Sequence, residues 1–190
     1  FAGFYPFRSA LKEEFSVVRS PYMMLKKTRS SDDSHLKAYL DNVMTNVKML
    51  VDLIDLKQID NAACKILEAD TVYLVGVGSD SAVIRHISEY LMLTGIKCIP
   101  VCEEGMILKE KILLAGEKDC IFMSSFPTVQ QDEYWTAEYA REHGIPFILL
   151  TDSEVTAKLL GANDVLIAKD STGSFFNSNI SSLLICNMIL

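Results

Sequence analysis

Hydrophobic positions change their spacing along this chain, from a helical repeat to an alternation of strands and helices. Between residues 34 and 68, apolar side chains recur every three or four positions, which predicts a long amphipathic helix over 34–56 and a second over about 57–68. From residue 71 onward, short apolar runs rich in β-branched residues alternate with helical patterns. These runs predict strands at 71–75, 97–101, 119–124, 147–151 and 164–168, separated by helices at 82–94, 105–115, 131–143 and 153–160.

Strands that are apolar on both faces and separated by helices predict a parallel sheet covered on both sides. Because crossovers between parallel strands are right-handed, the expected fold is an α/β doubly wound three-layer sandwich with a mostly parallel five-stranded sheet. A further short helix is predicted at 6–15, so an N-terminal helical segment precedes the sandwich. The chain lacks an initial Met and stops inside an apolar helix-like pattern, and we expect it to be a fragment cut at both ends.

Charge and cysteine content narrow the classes of protein and partner. The net charge is −7, yet the first 30 residues hold six basic against two acidic residues, so the body is acidic and a poor surface for nucleic acid. The basic segment is either a solvated linker or an arm that lies near DNA phosphates. Five cysteines without paired spacing argue against a disulfide framework and for a reducing, cytoplasmic compartment. Cys98 and Cys102 lack the second ligand pair of a zinc site, so no metal is predicted.

A glycine and serine loop, Gly76-Val77-Gly78-Ser79-Asp80-Ser81, follows the first predicted strand. Gly76 and Gly78 allow a tight turn and a close approach of the backbone to a ligand. The helix that begins near Ser81 points free N–H groups at this position, which favours an anion such as phosphate, and Ser79 and Ser81 add hydroxyl donors. The loop has no lysine of a Walker motif, so it is not a Walker nucleotide loop. In a dinucleotide fingerprint, Ser81 would stand at the third glycine position and Glu103 near the expected acidic position. A plain strand-to-helix turn is the alternative.

A second polar loop, residues 124–130, follows the strand at 119–124 and again precedes a helix. Two such loops from neighbouring strands hold one phosphate from two sides, because ligands bind beyond the carboxyl ends of parallel strands. Ordinary N-capping of the helix is the competing interpretation. Residues 171–174, another hydroxyl-rich stretch, either line the same cleft or form only a loop.

Catalytic residue patterns are sparse. Glu103 or Glu104, beyond the second strand, is a candidate base for sugar isomerisation, although a solvated loop charge is favoured. Cys102 has no neighbouring base that would make it a reactive thiolate. The three histidines fall on helical segments without a shared face: His35, His86 and His143.

Several stretches, in this order, resemble the SIS (sugar isomerase) domain of RpiR/MurR-type transcriptional regulators. They are G-V-G-S-D-S after V-Y-L-V, then D-C-I-F-M-S-S, A-R-E-H-G-I-P-F-I-L-L-T-D and L-G-A-N-D-V-L. The opening F-A-G-F-Y-P-F-R-S-A-L-K-E-E-F looks like the tail of that family's helix-turn-helix domain. The resemblance implies three segments: a helix-turn-helix remnant at 1–16, a linker at 17–33 and an SIS domain at 34–190, truncated at its C-terminus.

The resemblance implies that the domain binds a phosphosugar without converting it, as a homodimer or tetramer, and binds DNA only through the missing part of the N-terminal domain. The second loop departs from the family pattern S-x-S-G-x-T, since Pro127 and Thr128 stand where Ser and Gly are usual. The implied ligand-binding residues are Gly76, Gly78, Ser79, Ser81, Ser124, Ser125, Thr128 and Gln130.

The sequence therefore predicts the effector-binding domain of a phosphosugar-responsive transcriptional regulator, without catalysis, cofactor, metal or membrane partner. A phosphosugar isomerase that uses Glu103 or Glu104, and a dinucleotide-binding module, remain as alternatives.

Overall fold

The computed structural model describes residues 34–126, 128–173 and 177–190. The predicted helix at 6–15, the linker at 17–33 and Pro127 lie outside the described residues. The chain divides into two compact units. The described part of the smaller unit comprises 34–44, 171–173 and 177–178, and the larger unit comprises Thr45–Asp170 with Asn179–Leu190. Each unit is described by itself below.

The described residues form helices and strands in the alternation that the sequence predicts. The helices are α1 (Ser34–Leu53), α2 (Leu56–Glu68), α3 (Ser81–Leu93), α4 (Met106–Ile112), α5 (Gln131–Glu142), α6 (Glu154–Leu160) and α7 (Ile180–Ile189). The strands are β1 (Val72–Val75), β2 (Cys98–Val101), β3 (Cys120–Ser125), β4 (Phe147–Thr151) and β5 (Asp164–Ile167). A 3₁₀ turn, Gly78–Asp80, connects β1 to α3.

The five strands of the larger unit pair in the order β2-β1-β3-β4-β5, and every pairing is parallel. The chain passes from β1 to β2 on one side and then returns to place β3 on the other side of β1. The strand order therefore reverses between β1 and β3. In open sheets of this kind the crevice at the carboxyl end of such a switch point is the usual place for a ligand.

Two hydrophobic layers cover the sheet. One face packs against α2, α3 and α7 through side chains such as Ile66, Ile84 and Ile185. The other face packs against α4, α5 and α6 through side chains such as Ile112 and Ala140. The predicted doubly wound three-layer sandwich is confirmed, with all five strands parallel.

The predicted helix at 34–56 ends earlier than expected, at Leu53, because Asp55 starts the next helix. Its side-chain oxygen accepts a hydrogen bond from the backbone N–H of Lys57 at 2.9 Å, which caps α2. In the described part of the chain, no helix combines the length and the apolarity needed to cross a bilayer.

Candidate functional site

The two serine-bearing loops of the sequence analysis meet at the switch point. Val75 at the end of β1 lies opposite Met123 of β3, so the chain that follows each strand emerges at the same edge of the sheet. The loops also touch, because the backbone N–H of Phe126 donates a hydrogen bond to Oδ2 of Asp80 at 3.0 Å. The predicted convergence of the loops is thus present, whereas the binding role of their residues stays a prediction.

The first loop needs both of its glycines. A Cβ atom on Gly76 would lie 2.5 Å from Cγ1 of Ile84 and 3.2 Å from the carbonyl oxygen of Asp80, so only glycine lets α3 start this close to β1. Gly78 has φ +59°, in the left-handed region that other residues avoid. These two positions shape the turn that begins α3.

The hydroxyls of the first loop differ in availability. Ser79 is exposed, and its carbonyl oxygen accepts a hydrogen bond from the Asn179 side chain at 3.1 Å. The hydroxyl of Ser81, in contrast, donates to the carbonyl oxygen of Gly78 at 2.7 Å. In this structure the Ser81 proton closes the turn, and the ligand-binding role of both hydroxyls stays a prediction.

The second loop places its two adjacent serines on opposite faces of the sheet, as alternation along a strand requires. The hydroxyl of Ser125 is buried and donates to Oε2 of Glu133 at 3.0 Å, on the side of α5. The hydroxyl of Ser124 is fully buried and has no hydrogen-bond partner among the described residues. Thr128 and Gln130 are exposed.

Two acidic side chains occupy N–H groups that the sequence analysis took to be free. The Phe126 amide donates a hydrogen bond to Asp80, and the Gln130 amide donates one to Glu133 at 2.8 Å. A buried N–H group that lacks a partner is costly, and in this chain these two carboxylates satisfy the donors near the start of α5. Side chains of the protein therefore occupy two N–H donors of the second loop, and phosphate binding by the two loops stays a prediction.

Asp80 is the main site residue that sequence reasoning missed. Its side chain is 2% exposed, and Oδ1 has no hydrogen-bond partner among the described residues. The pKa of Asp80 is raised from 3.8 to about 7, mainly by burial. The hydrogen bond from the Phe126 N–H opposes this rise, and the charges of Glu133 and Asp170 contribute to it. The signal in the sequence was a single charged residue inside a loop otherwise built from glycine, valine and serine.

Glu133 is the second residue that was missed. It lies in the first turn of α5 and is 2% exposed. Burial raises its pKa, while the hydrogen bonds from the Gln130 amide and the Ser125 hydroxyl lower it. Its spacing of three from Gln130 is that of a capping box, which is the sequence signal that predicts this contact.

The candidate catalytic residues of the sequence analysis do not converge on an acid–base pair. Glu103 forms an ion pair of 2.7 Å with Lys111, whose hydrogen bond lowers the pKa of Glu103, so this carboxylate is a weak base. Burial raises the pKa of the Cys102 thiol, which disfavours the thiolate. His86 shares a 2.7 Å hydrogen bond with Asn187, and His143 caps the C-terminus of α5 and stacks on Tyr139.

The described residues contain no cluster of three or more metal-ligating side chains. In the smaller unit, the amide of Asn42 donates to the carbonyl oxygen of Thr172 at 2.8 Å. The expectation that residues 171–174 line the cleft stays a prediction, and Ser174 lies outside the described residues.

Comparison with solved structures identifies the fold. The sugar isomerase domain of an RpiR transcription factor from Sphaerobacter thermophilus matches with a TM-score of 0.76 and 23% identity, over 83% of this chain and 88% of that one. The NanR protein of Vibrio vulnificus complexed with ManNAc-6P matches with a TM-score of 0.67 and 21% identity, over 89% of this chain and 64% of that one.

A third similar structure is a hypothetical protein of Methanococcus jannaschii, for which the function of a 3-hexulose-6-phosphate isomerase has been inferred. Its TM-score is 0.59 and its identity 17%, over 82% of this chain and 86% of that one. No protein-family model matches the sequence, and no curated protein matches it. The chain therefore has the SIS fold, as its resemblance to the SIS domains of RpiR-type regulators implied.

Proposed function

We propose that this chain is the effector-binding region of an RpiR-type transcriptional regulator, which binds a phosphorylated sugar without converting it. The observation that carries the proposal is the meeting of two serine-bearing loops at the β1–β3 switch point, joined by the hydrogen bond between Phe126 and Asp80. The similar structures support it, since one is the sugar isomerase domain of an RpiR factor and another holds ManNAc-6P.

The phosphate would lie between the start of α3 and the loop after β3. The backbone at Gly76 and Gly78 lets it approach closely, and the exposed Ser79 and Thr128 hydroxyls donate to it. The buried hydroxyl of Ser124 has no partner among the described residues, and a ligand that opens the loop would satisfy it. Ser81, Ser125 and Gln130 act through their internal hydrogen bonds, which hold the loops in shape.

Calorimetric titration with a panel of hexose, pentose and amino-sugar phosphates tests the proposal. We expect binding of at least one member, and a loss of about 1–3 kcal/mol on Ser79→Ala, because a hydrogen bond to a charged group is removed. Thr94→Ala is the matched control, since this hydroxyl lies at the opposite end of α3 and donates to Leu91. A panel that gives no heat with the wild-type chain contradicts the proposal.

In this proposal, ligand binding biases the geometry of a cytoplasmic homodimer or tetramer, and with it the DNA affinity of the N-terminal domain, by about 1–3 kcal/mol. Exposed apolar side chains along α1 favour assembly: Leu36, Leu40, Met44, Met49, Val51 and Leu53. Light scattering of the purified chain tests this, and a monomer at all concentrations contradicts it.

A phosphosugar isomerase is the second candidate function, and one observation favours it. A carboxyl group with a pKa of about 7, such as Asp80, is well matched to general base catalysis at neutral pH, whereas Glu103 is not. The assay is turnover of aldose and ketose phosphates by the wild-type chain, Asp80→Asn and Glu104→Gln. Turnover that is lost in one of these variants establishes the isomerase, and binding without turnover removes it.

A further inference from the structure

The Asp80 carboxylate lies where the two loops meet. Its Oδ2 atom accepts the Phe126 N–H at 3.0 Å, and its Oδ1 atom is buried without a partner among the described residues. A buried oxygen that lacks a donor is costly, unless it carries a proton of its own or a ligand satisfies it. The geometry thus leaves one oxygen of Asp80 available for an interaction with a ligand.

Two charged side chains of the described residues act on Asp80, and both carry its own sign. Glu133 approaches from α5 and Asp170 from the segment after β5, and both disfavour an ionised Asp80. A phosphate dianion would bring further negative charge next to these three carboxylates. Because the site is buried, this repulsion is screened far less than at a surface. An anion therefore binds here at a low cost in free energy only if the Asp80 carboxylate is protonated and neutral.

We propose that Asp80 is itself a ligand-binding residue, which receives a phosphate group only as a neutral carboxylic acid whose Oδ1–H donates to a phosphate oxygen. The inference rests on the proposed function and names the protonation state that this function requires. Oδ2 keeps its hydrogen bond from Phe126, and one proton is taken up from solvent for each anion that binds to a molecule with ionised Asp80.

The pKa of Asp80 sets the pH range of this coupling. Since the free protein has a pKa of about 7, the proton is already present below pH 7 and must be acquired above it. Anion affinity is therefore flat below about pH 7 and falls by up to about tenfold per pH unit above it. This is opposite to the behaviour of a site in which an ionised Asp80 binds sugar hydroxyls.

The test titrates the full chain with inorganic sulfate and inorganic phosphate between pH 6.5 and 8.5, following backbone amide resonances by NMR. Sulfate keeps a constant charge over this range, so its pH dependence reports the protein alone. We expect shifts at the Gly78 and Phe126 amides, an affinity that falls above pH 7, and calorimetric uptake of up to one proton at pH 8. Asp80→Asn should bind about tenfold tighter than wild type at pH 8, with no pH dependence.

Asp119→Asn is the matched control, since it removes the same charge at the opposite end of the sheet, where Asp119 accepts from the Gly116 amide. It should keep the wild-type pH profile. If Asp80→Asn does not fold, the carboxyl ¹³C resonance of Asp80 in the wild-type chain replaces it, and sulfate should raise the pKa read from that resonance.

A flat pH profile for sulfate, shifts confined to residues away from the two loops, or an Asp80 pKa that sulfate leaves unchanged would each overturn the inference while leaving phosphosugar binding intact. A purely structural Asp80 would show a changed melting temperature in Asp80→Asn with an unchanged pH profile, which also overturns it. If neither anion nor any sugar phosphate binds at any pH, both the inference and the proposed function fail.

Discussion

Replacing Gly76 with alanine tests the geometry on which the site depends. A new Cβ would lie 2.5 Å from Cγ1 of Ile84, a side chain that is fully buried in the sheet–helix core, and 3.2 Å from the carbonyl oxygen of Asp80. Neither of these two atoms can move away easily, because the Ile84 side chain is fully buried and the Asp80 carbonyl belongs to the backbone that starts α3. Overpacking of this kind costs about 1–3 kcal/mol.

For a chain of 190 residues, a loss of 2 kcal/mol lowers the melting temperature by about 4–8 °C. Urea unfolding measures the free energy directly, and amide shifts at Asp80 and Phe126 report whether the contact between the loops loosens. Gly116→Ala is the matched control, since its new Cβ would meet only a side-chain oxygen of Asp119, at 4.0 Å, among the described residues beyond its two chain neighbours.

The Gly116 variant should be neutral or more stable by about 0.4–1 kcal/mol, because alanine restricts the unfolded chain. Equal stability changes in the two variants would show that the close approach of α3 to β1 is absent, and the description of the first loop would fail.

Three further predictions concern charged and polar groups at this end of the sheet. Ser125→Ala should lower the free energy of unfolding by about 1–3 kcal/mol in urea, because the buried Glu133 loses a donor, and should weaken a sugar phosphate less than Ser79→Ala does. Because the pKa of Asp80 is raised from 3.8 to about 7 in the folded chain, its ionisation should lower the stability of the wild-type chain by up to about 4 kcal/mol from pH 4 to pH 7, and this contribution should then level off. Melts at these pH values should show a smaller loss for Asp80→Asn, in which Glu133 still has a raised pKa. Glu103→Gln should change the free energy of unfolding by only about 0–1 kcal/mol and leave ligand binding unaltered, because the ion pair of Glu103 with Lys111 is partly exposed to solvent. A large loss of binding would instead show that Glu103 belongs to the site.

The layered sandwich was predictable because each strand is a short apolar run and each helix has its own periodicity. Phe122 and Met123 are adjacent, yet they enter different hydrophobic layers, as the unbroken apolar pattern of β3 requires. The end of α1 was predicted three residues too late, since the apolar repeat continues through the break and the capping side chain of Asp55 marks it.

The roles of the two serines of β3 were not predictable to the same degree. Which serine meets α5 and which meets the opposite layer depends on the pleat, and a shift of one residue reverses the answer. The sequence analysis ended the strand at 124, whereas β3 continues through Ser125. The hydroxyl of Ser125 therefore donates to Glu133, and the neighbouring hydroxyl of Ser124 has no partner in the part of the chain that the structure describes.

The buried position of Asp80 depends on a contact between elements that are distant in the chain. Asp80 and Phe126 are 46 residues apart, and β2 and α4 lie between them in sequence, so only the strand order shows that they meet. Until the strand order is known, a charged residue in a loop is expected to be solvated. The same carboxylate satisfies a backbone amide and disfavours a bound anion while it is ionised. A phosphosugar sensor built from this chain would therefore bind its ligand with Asp80 protonated, as we propose.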